Sequence, residues 1–232
     1  MNSKILNKIK NNKKDIKLIT IDGITCSGKS ELSKIIFRKL KKKYKDVFIL
    51  SKDLFLLSRH QRMSITRNIY NFHSNQNELH YDLKKLNILL TFLVNSKNKR
   101  TIKLKNLYNR KNGKNDLTVL FKFKSKQLII FEGIYINQDI KGLIKPVIKI
   151  LIIETVYNSL SRKIERIRDK KISIQDVVKE YIKIHLFSFK NYLKKMTYDF
   201  NFLFQNQQFV KIGNGKSRQI MLIKKFLQKH SF

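Results

Sequence analysis

The stretch IDGITCSGKS, residues 21–30, gathers residues suited to holding phosphate. Gly23 and Gly28 stand five positions apart and are followed by Lys29 and Ser30, in a chain with only seven glycines. Gly-x4-Gly-Lys-Ser suits a loop whose backbone N–H groups converge on a polyphosphate. Gly23, Thr25, Cys26, Ser27, Gly28, Lys29, Ser30 and Glu31 are the residues that would surround the nucleotide. Lys29 is the residue to bridge the outer phosphate oxygens, and the Ser30 hydroxyl suits Mg²⁺. Cys26 reads as a small loop residue rather than a nucleophile, because a thiolate beside bound phosphates would be repelled.

Two carboxylates follow short apolar runs. Asp53 closes ILSKD and Glu132 closes LIIFE, in a chain with only 16 acidic residues. Asp53 would face the terminal phosphate, where it either accepts a hydroxyl proton or holds the metal; its structural alternative is a helix N-cap. Glu132 is the second acid for Mg²⁺, against the alternative of a surface acid at a strand end. Arg162 and Arg166 lie one helical turn apart and share a face able to reach one anion, or to form a solvated basic face.

These residues need a sheet that brings strand ends together. IKLITI (16–21), DVFILS (46–51), QLIIF (127–131) and VIKILIIE (147–154) read as buried strands. SELSKIIFRKLKKKY and DLKKLNILLTFLVN read as helices, the second with Leu83, Leu86, Leu90 and Leu93 on one face. RTIKLKN and DLTVLFKF flank Asn112-Gly113 and predict a hairpin. Residues 158–197 read as one or two basic amphipathic helices, QQFVKIG as a last strand and KSRQIMLIKKFLQKH as a closing helix. Alternating strands and helices predict an α/β fold with a mostly parallel sheet and a ligand at the carboxyl ends of its strands.

The 232 residues suit one domain with a lid. A single cysteine excludes an internal disulfide framework. No apolar run reaches the roughly 18 residues of a transmembrane helix, and residues 1–15 form a basic segment expected to be a short helix. No membrane partner and a cytoplasmic location are therefore expected. The net charge of +35 favours phosphate-bearing ligands. Lysines run along the whole chain, alanine is absent, and Asn, Ile, Phe and Tyr are abundant, which is the residue set of A/T-rich codons. Composition drift therefore competes with nucleic-acid binding. The chain has no aromatic-basic RNA motif and no recognition-helix pattern, so nucleic acid is not the favoured partner.

TIDGITCSGKSELS, SKDLF, YDLKKL, LIIFEGIY and SRKIERIRD occur in the order seen in the uridine kinase-like P-loop kinases. The chain resembles that family, which includes uridine/cytidine kinase, phosphoribulokinase and pantothenate kinase, from about residue 18 to 200. The resemblance implies a single three-layer P-loop NTPase domain over 1–232. It implies a substrate hairpin at about 100–123 and a helical lid with its following helix at about 158–197. It implies a kinase using ATP and Mg²⁺, with the 5′-hydroxyl of uridine or cytidine as the leading acceptor. Another small alcohol, such as a vitamin or a sugar phosphate, is the alternative, and a nucleic-acid-binding NTPase a further one. Homo-oligomers are common in the family.

By the same resemblance, Lys29, Asp53, Arg162 and Arg166 are catalytic, and Ser30, Glu132 and Asp53 hold the metal. Where the family has Arg-Asp, this chain has Arg166-Ile167, with Asp169 two places later. Tyr108, Arg110 and His73 are the candidate acceptor contacts. His73 stands nearest the place of a ribose-binding Asp that is missing here, and the family's base-contacting His is absent from the hairpin. Asp82 is expected to cap the following helix, and His80 reads as a surface residue.

Overall fold

A computed structural model describes residues 3–12, 16–69, 79–95, 100–124, 127–167, 173–196, 200–205 and 208–211. Among them the strands are β1 (Ile16–Gly23), β2 (Val47–Ser51), β3 (Arg100–Asn109), β4 (Lys114–Phe123), β5 (Gln127–Gly133), β6 (Ile148–Ile152), β7 (Phe202–Gln205) and β8 (Gln208–Lys211). The helices are α1 (Ser3–Lys10), α2 (Lys29–Lys41), α3 (Arg59–Ile69), α4 (Leu83–Asn95), α5 (Ile136–Asp139), α6 (Val156–Ile167), α7 (Ile174–Glu180) and α8 (Phe187–Met196). A 3₁₀ turn spans Lys52–Phe55, and a π-helical turn, Tyr181–Leu186, joins α7 to α8.

Six strands form one sheet in the order β2-β5-β1-β6-β7-β8, while β3 and β4 form a separate hairpin. All neighbours in the large sheet are parallel except β7 and β8. Every residue of β5 is buried, as a central parallel strand covered on both faces requires. Ile9 of α1 and Leu32, Ile36 and Leu40 of α2 pack with β1, β5 and β6. Leu86, Leu89, Leu90 and Leu93 of α4 pack in a second cluster with Leu50 and Phe131. The helix α8 adds Phe189, Tyr192 and Leu193 to a third. This is the mostly parallel α/β arrangement that the alternation of elements predicts, in the three layers that the resemblance implies.

Register sets the functional edge. Ser51 of β2 and Ile21 of β1 both pair with Glu132 of β5, and Asp22 pairs with Gly133. The carboxyl ends of three strands are therefore flush. The chain turns to β6 on the other side of β1, and the crevice at such a reversal of strand order is where ligands lodge in these sheets.

The hairpin occupies the expected 100–123, its strands running further toward the turn than RTIKLKN and DLTVLFKF, and it is not a bare excursion. Leu104, Leu107, Phe121 and Phe123 bury themselves in the same cluster as α4. Its tip docks on the chain after β2: Arg59 N–H donates to Gly113 O at 2.8 Å, and Asn115 Nδ2 to Leu56 O at 2.8 Å. Three elements, α3, the four-residue α5 and β7, are absent from the sequence reading. RHQRMSITRNI has no continuous apolar stripe, and FLFQ is only four residues long. The region read as one or two helices from 158 forms α6, α7, the π turn and α8. Both the segment read as a closing helix, 216–230, and His73 lie outside the described residues.

A Cβ added at Gly133 would stand 2.5 Å from Lys52 Cβ and 3.3 Å from Ile136 Cδ1. Ile136 Cδ1 can swing aside, but Lys52 Cβ is fixed to its backbone and yields only if that backbone moves. Gly133→Ala is therefore expected to cost about 1–3 kcal/mol, read as a lowered midpoint of urea unfolding at an unchanged slope.

Candidate active site

The loop after β1 is shaped by two left-handed residues, Cys26 (φ 60°) and Gly28 (φ 91°). Gly28 pays no Cβ penalty there, and it stands at the N-cap of α2. Alternating right- and left-handed residues turn successive N–H groups to one side and form an anion nest at the positive end of the α2 dipole. The Lys29 side chain is folded into this loop. Its ammonium donates to Gly23 O at 3.0 Å and Ile24 O at 2.7 Å, leaving one proton of three for a ligand. Burial pushes the Lys29 pKa down, while the charges of Glu132, Asp53 and Asp22 push it up.

Ser30 Oγ donates to Glu132 Oε2 at 3.4 Å. Glu132 is 4% exposed, and burial raises its pKa, reinforced by Asp53 and opposed by a hydrogen bond from Ser51. The Asp53 alternative, an N-cap, does not apply. Ser51 is the cap of the 3₁₀ turn, and its hydroxyl accepts from Asp53 N–H at 3.4 Å. The Asp53 carboxylate instead faces the loop mouth and pairs with Arg110 at the hairpin tip. Among the described residues no three His, Cys, Asp or Glu side chains gather as a metal cluster. One hydroxyl with one or two carboxylates still suits Mg²⁺, which keeps most of its waters and takes other ligands from phosphate oxygens.

On the opposite side, Arg162 and Arg166 of α6 reach the loop. Arg162 Nη1 donates to Cys26 O at 3.4 Å and to Glu154 Oε2 at 3.0 Å, and Arg166 Nη1 lies 3.6 Å from Cys26 Sγ. The remaining loop residues divide. Ser27 Oγ is buried and among the described side-chain atoms with no hydrogen-bond partner, and Thr25 Oγ1 lies 3.9 Å from Cys26 Sγ. The Glu31 side chain faces solvent and pairs with Lys34, so only its backbone is directed at the nest. Tyr108 is buried, with Arg62 Nη2 donating to its hydroxyl at 2.8 Å and the guanidinium 4.9 Å from its ring centroid. Asp82 caps α4, its Oδ1 accepting from Lys85 N–H at 3.0 Å.

Sequence reasoning missed the residues that hold this edge in place. Asp22, read as a turn residue after β1, is inside the strand and fully buried. Its carboxylate accepts from the N–H groups of Gly23 (3.1 Å), Tyr135 (2.9 Å) and Asn137 (3.3 Å), from Asn137 Nδ2 (3.4 Å) and from the Tyr192 hydroxyl. Burial raises its pKa, and the Tyr192 and Asn137 hydrogen bonds pull it back. Lys52 is also fully buried. It donates to Ile134 O at 2.9 Å, meets Asp139 Oδ2 at 2.6 Å and lies over the Tyr81 ring. An acid directly before the first loop glycine, and a lysine beside Asp53, were the only sequence signals. His80 is corrected too: it is 7% exposed rather than a surface residue, with Arg62 of α3, Lys163 of α6, Glu180 of α7 and His185 of the π turn around it, while Leu57 N–H donates to its carbonyl.

No protein-family model matches the chain, and no curated protein matches its sequence. Solved structures do match. A protein of Bacillus stearothermophilus described as a possible uridine kinase aligns at TM-score 0.61 and 13% identity, over 87% of this chain and 95% of that one. D-glycerate 3-kinase of Cryptococcus neoformans aligns at 0.59 and 14%, over 90% and 94%. The YGR205w protein aligns at 0.59 and 16%, over 90% and 93%. The chain has the fold of the uridine kinase-like P-loop kinases. Among the described residues no helix is long and apolar enough to cross a membrane.

Asp22→Asn replaces an acceptor oxygen by a donor facing donors. It is expected to cost about 3 kcal/mol of stability and to weaken nucleotide binding, measured by denaturation and by titration with a fluorescent ADP analogue. His80 gives a pH prediction. Burial, with His185 and Arg62 adding to it, pushes its pKa down to about 4 from 6.5. The unfolded chain takes up that proton near pH 6.5 and the folded one only near 4. Stability is therefore lost as pH falls through this window, by about 3 kcal/mol in full, and His80→Gln flattens the loss in urea midpoints measured from pH 7 to 4.

Proposed function

We propose that this protein is a small-molecule kinase that transfers the terminal phosphoryl group of ATP to an alcohol. One observation carries the reading. Asp53 and Glu132, from the ends of β2 and β5, stand beside Lys29 at the mouth of an anion-binding loop. Phosphoryl transfer asks a protein for positioning and charge neutralisation more than for covalent chemistry, and this set supplies both.

In the mechanism, the loop amides and Lys29 hold the β- and γ-phosphates. Ser30, Glu132 and Asp53 are the residues to hold Mg²⁺, which when bound neutralises and orients the phosphate oxygens. Asp53 orients the acceptor hydroxyl and takes its proton as the new O–P bond forms and the bridging O–P bond of ATP breaks, leaving ADP. Arg162 and Arg166 neutralise the transferring group from the other side. Closing over it, they keep out water that would otherwise hydrolyse ATP.

For the acceptor, the sequence resemblance points first to the 5′-hydroxyl of uridine or cytidine. The fold neighbours carry different acceptors in their descriptions, uridine and D-glycerate, so the shared fold supports kinase chemistry without selecting one alcohol. The net charge of +35 favours one second reading, an NTPase acting on nucleic acid. That reading requires ATP turnover stimulated by DNA or RNA, with binding that weakens steeply as salt rises.

The test is turnover with ATP·Mg²⁺ across a panel of nucleosides and other alcohols, with ADP and the phosphate ester identified by mass spectrometry. Asp53→Asn is expected to lower kcat by about 10²–10⁴ while nucleotide binding persists. Lys29→Ala should cost nucleotide affinity as well as rate. An Asp53→Asn variant with unchanged kcat would end the assignment.

A further inference from the structure

We propose that Glu180 is a positioning residue: through Lys163 it seats α6 so that Arg162 and Arg166 stay over the phosphate loop, and phosphoryl transfer depends on that seat. The proposal rests on the kinase reading and deepens it.

Little else holds α6 where its arginines lie. Val156 and Ser159, in its first turn, are its only fully buried residues. Arg162 and Arg166 are exposed. Lys163, between them in sequence, is covered instead, with its side chain 13% exposed. Its ammonium meets Glu180 Oε1 at 3.1 Å and lies 5.9 Å from the Tyr181 ring centroid. One turn earlier on α6, Ser159 Oγ is hydrogen-bonded to the Tyr181 hydroxyl. Two consecutive residues, Glu180 and Tyr181, thus hold two residues on one face of α6. The Ser159 contact fixes the root of the helix, and the Glu180 contact fixes the turn that carries the arginines.

Glu180 is itself held by the π turn that follows it. On an α-helix of 3.6 residues per turn, residues five apart point about 140° away from each other. In the wider π winding, i and i+5 share a side. His185 accordingly places Nε2 3.1 Å from the same Oε1 that meets Lys163. Burial would raise the Glu180 pKa, but the His185 hydrogen bond and the Lys163 charge hold it at about 2, so the carboxylate stays ionised. His80 and Arg62 border the same cluster, and Arg62 also holds the Tyr108 hydroxyl of the hairpin. One carboxylate therefore serves both the helix at the phosphate loop and the side of the site next to the hairpin. Without it, Lys163 keeps a sheltered charge with no counter-ion, and the turn bearing the arginines loses its seat. The transferring group then lacks its neutralising charges on that side.

The experiment measures amide hydrogen exchange by mass spectrometry and phosphoryl transfer on the full chain, with ATP·Mg²⁺ and the alcohol of the panel that is phosphorylated fastest. Glu180→Gln is expected to speed exchange over residues 160–167 by about tenfold or more, with exchange in β5 and binding of a fluorescent ADP analogue unchanged. It should lower kcat by about 10–10²-fold with little change in acceptor KM. Lys163→Met should repeat both effects, while Lys163→Arg, which keeps the pair, should retain most of the wild-type behaviour. A residue with a merely structural role would add its loss to any other. Because Glu180 acts through the arginines, Glu180→Gln should cost little more in a chain that already carries Arg162→Gln and Arg166→Gln. Unchanged exchange or unchanged kcat in Glu180→Gln overturns the proposal and leaves the kinase reading standing, as does a full further loss in the arginine-free background. Nucleotide binding with transfer to no alcohol overturns both.

Discussion

The Asp22 carboxylate has no access to water and takes five donors from three parts of the chain: the start of the phosphate loop, the turn into α5, and α8. A buried carboxylate with fewer partners would be costly, and one with this many fixes every group that donates to it. The loop cannot shift relative to the end of β5 without stranding that charge. Thr20 extends the network by donating to Asn137 Oδ1 at 2.8 Å. Beside it, Lys52 ties the segment bearing Asp53 to Ile134 and Asp139. The reactive edge is thus assembled by two buried charges that need not touch a ligand. Their service is to hold Glu132, Asp53 and the loop in one frame.

What the sequence disclosed follows from what is local. The loop lies between a strand and a helix that adjoin it in sequence, so Gly23, Gly28, Lys29 and Ser30 were legible together. Asp53 and Glu132 were legible because a parallel sheet puts the carboxyl ends of its strands on one side, whatever the distance between them in the chain. The helix α4 announced itself by its leucines. The rest depends on contacts between distant segments. Asp22 looked like a turn residue because four of its five donors lie more than a hundred positions away. His80 looked exposed because the groups around it, Arg62, Lys163, Glu180 and His185, belong to other elements. The strand β7 is four residues long and is made a strand by pairing with β6.

The hairpin illustrates the same dependence in its function. Its apolar face shares a core with α4, and its tip is bonded to residues 56 and 59. Leu56 in turn bridges to Tyr81, and Leu57 N–H donates to His80 O at 2.9 Å. The hairpin and the turn that carries Asp53 are therefore tied into one piece. A substitution that loosens the hairpin core therefore also loosens the turn that places Asp53.

The excess of positive charge can now be divided. Of 51 cationic residues only ten are arginine, and Arg59, Arg62, Arg110, Arg162 and Arg166 are five of those ten. All five stand at the loop or at the hairpin tip. Drift toward A/T-rich codons supplies lysine freely but has no reason to concentrate arginine at one edge of the molecule. Lysine is a compact, strongly hydrated point charge, whereas the arginine fork pairs with two oxygens of one anion. The lysines along the chain account for the net charge, and the arginines account for where an anion would be gripped. They stand on two sides, Arg162 and Arg166 of α6 at the loop after β1 and Arg110 at the hairpin tip beside Asp53.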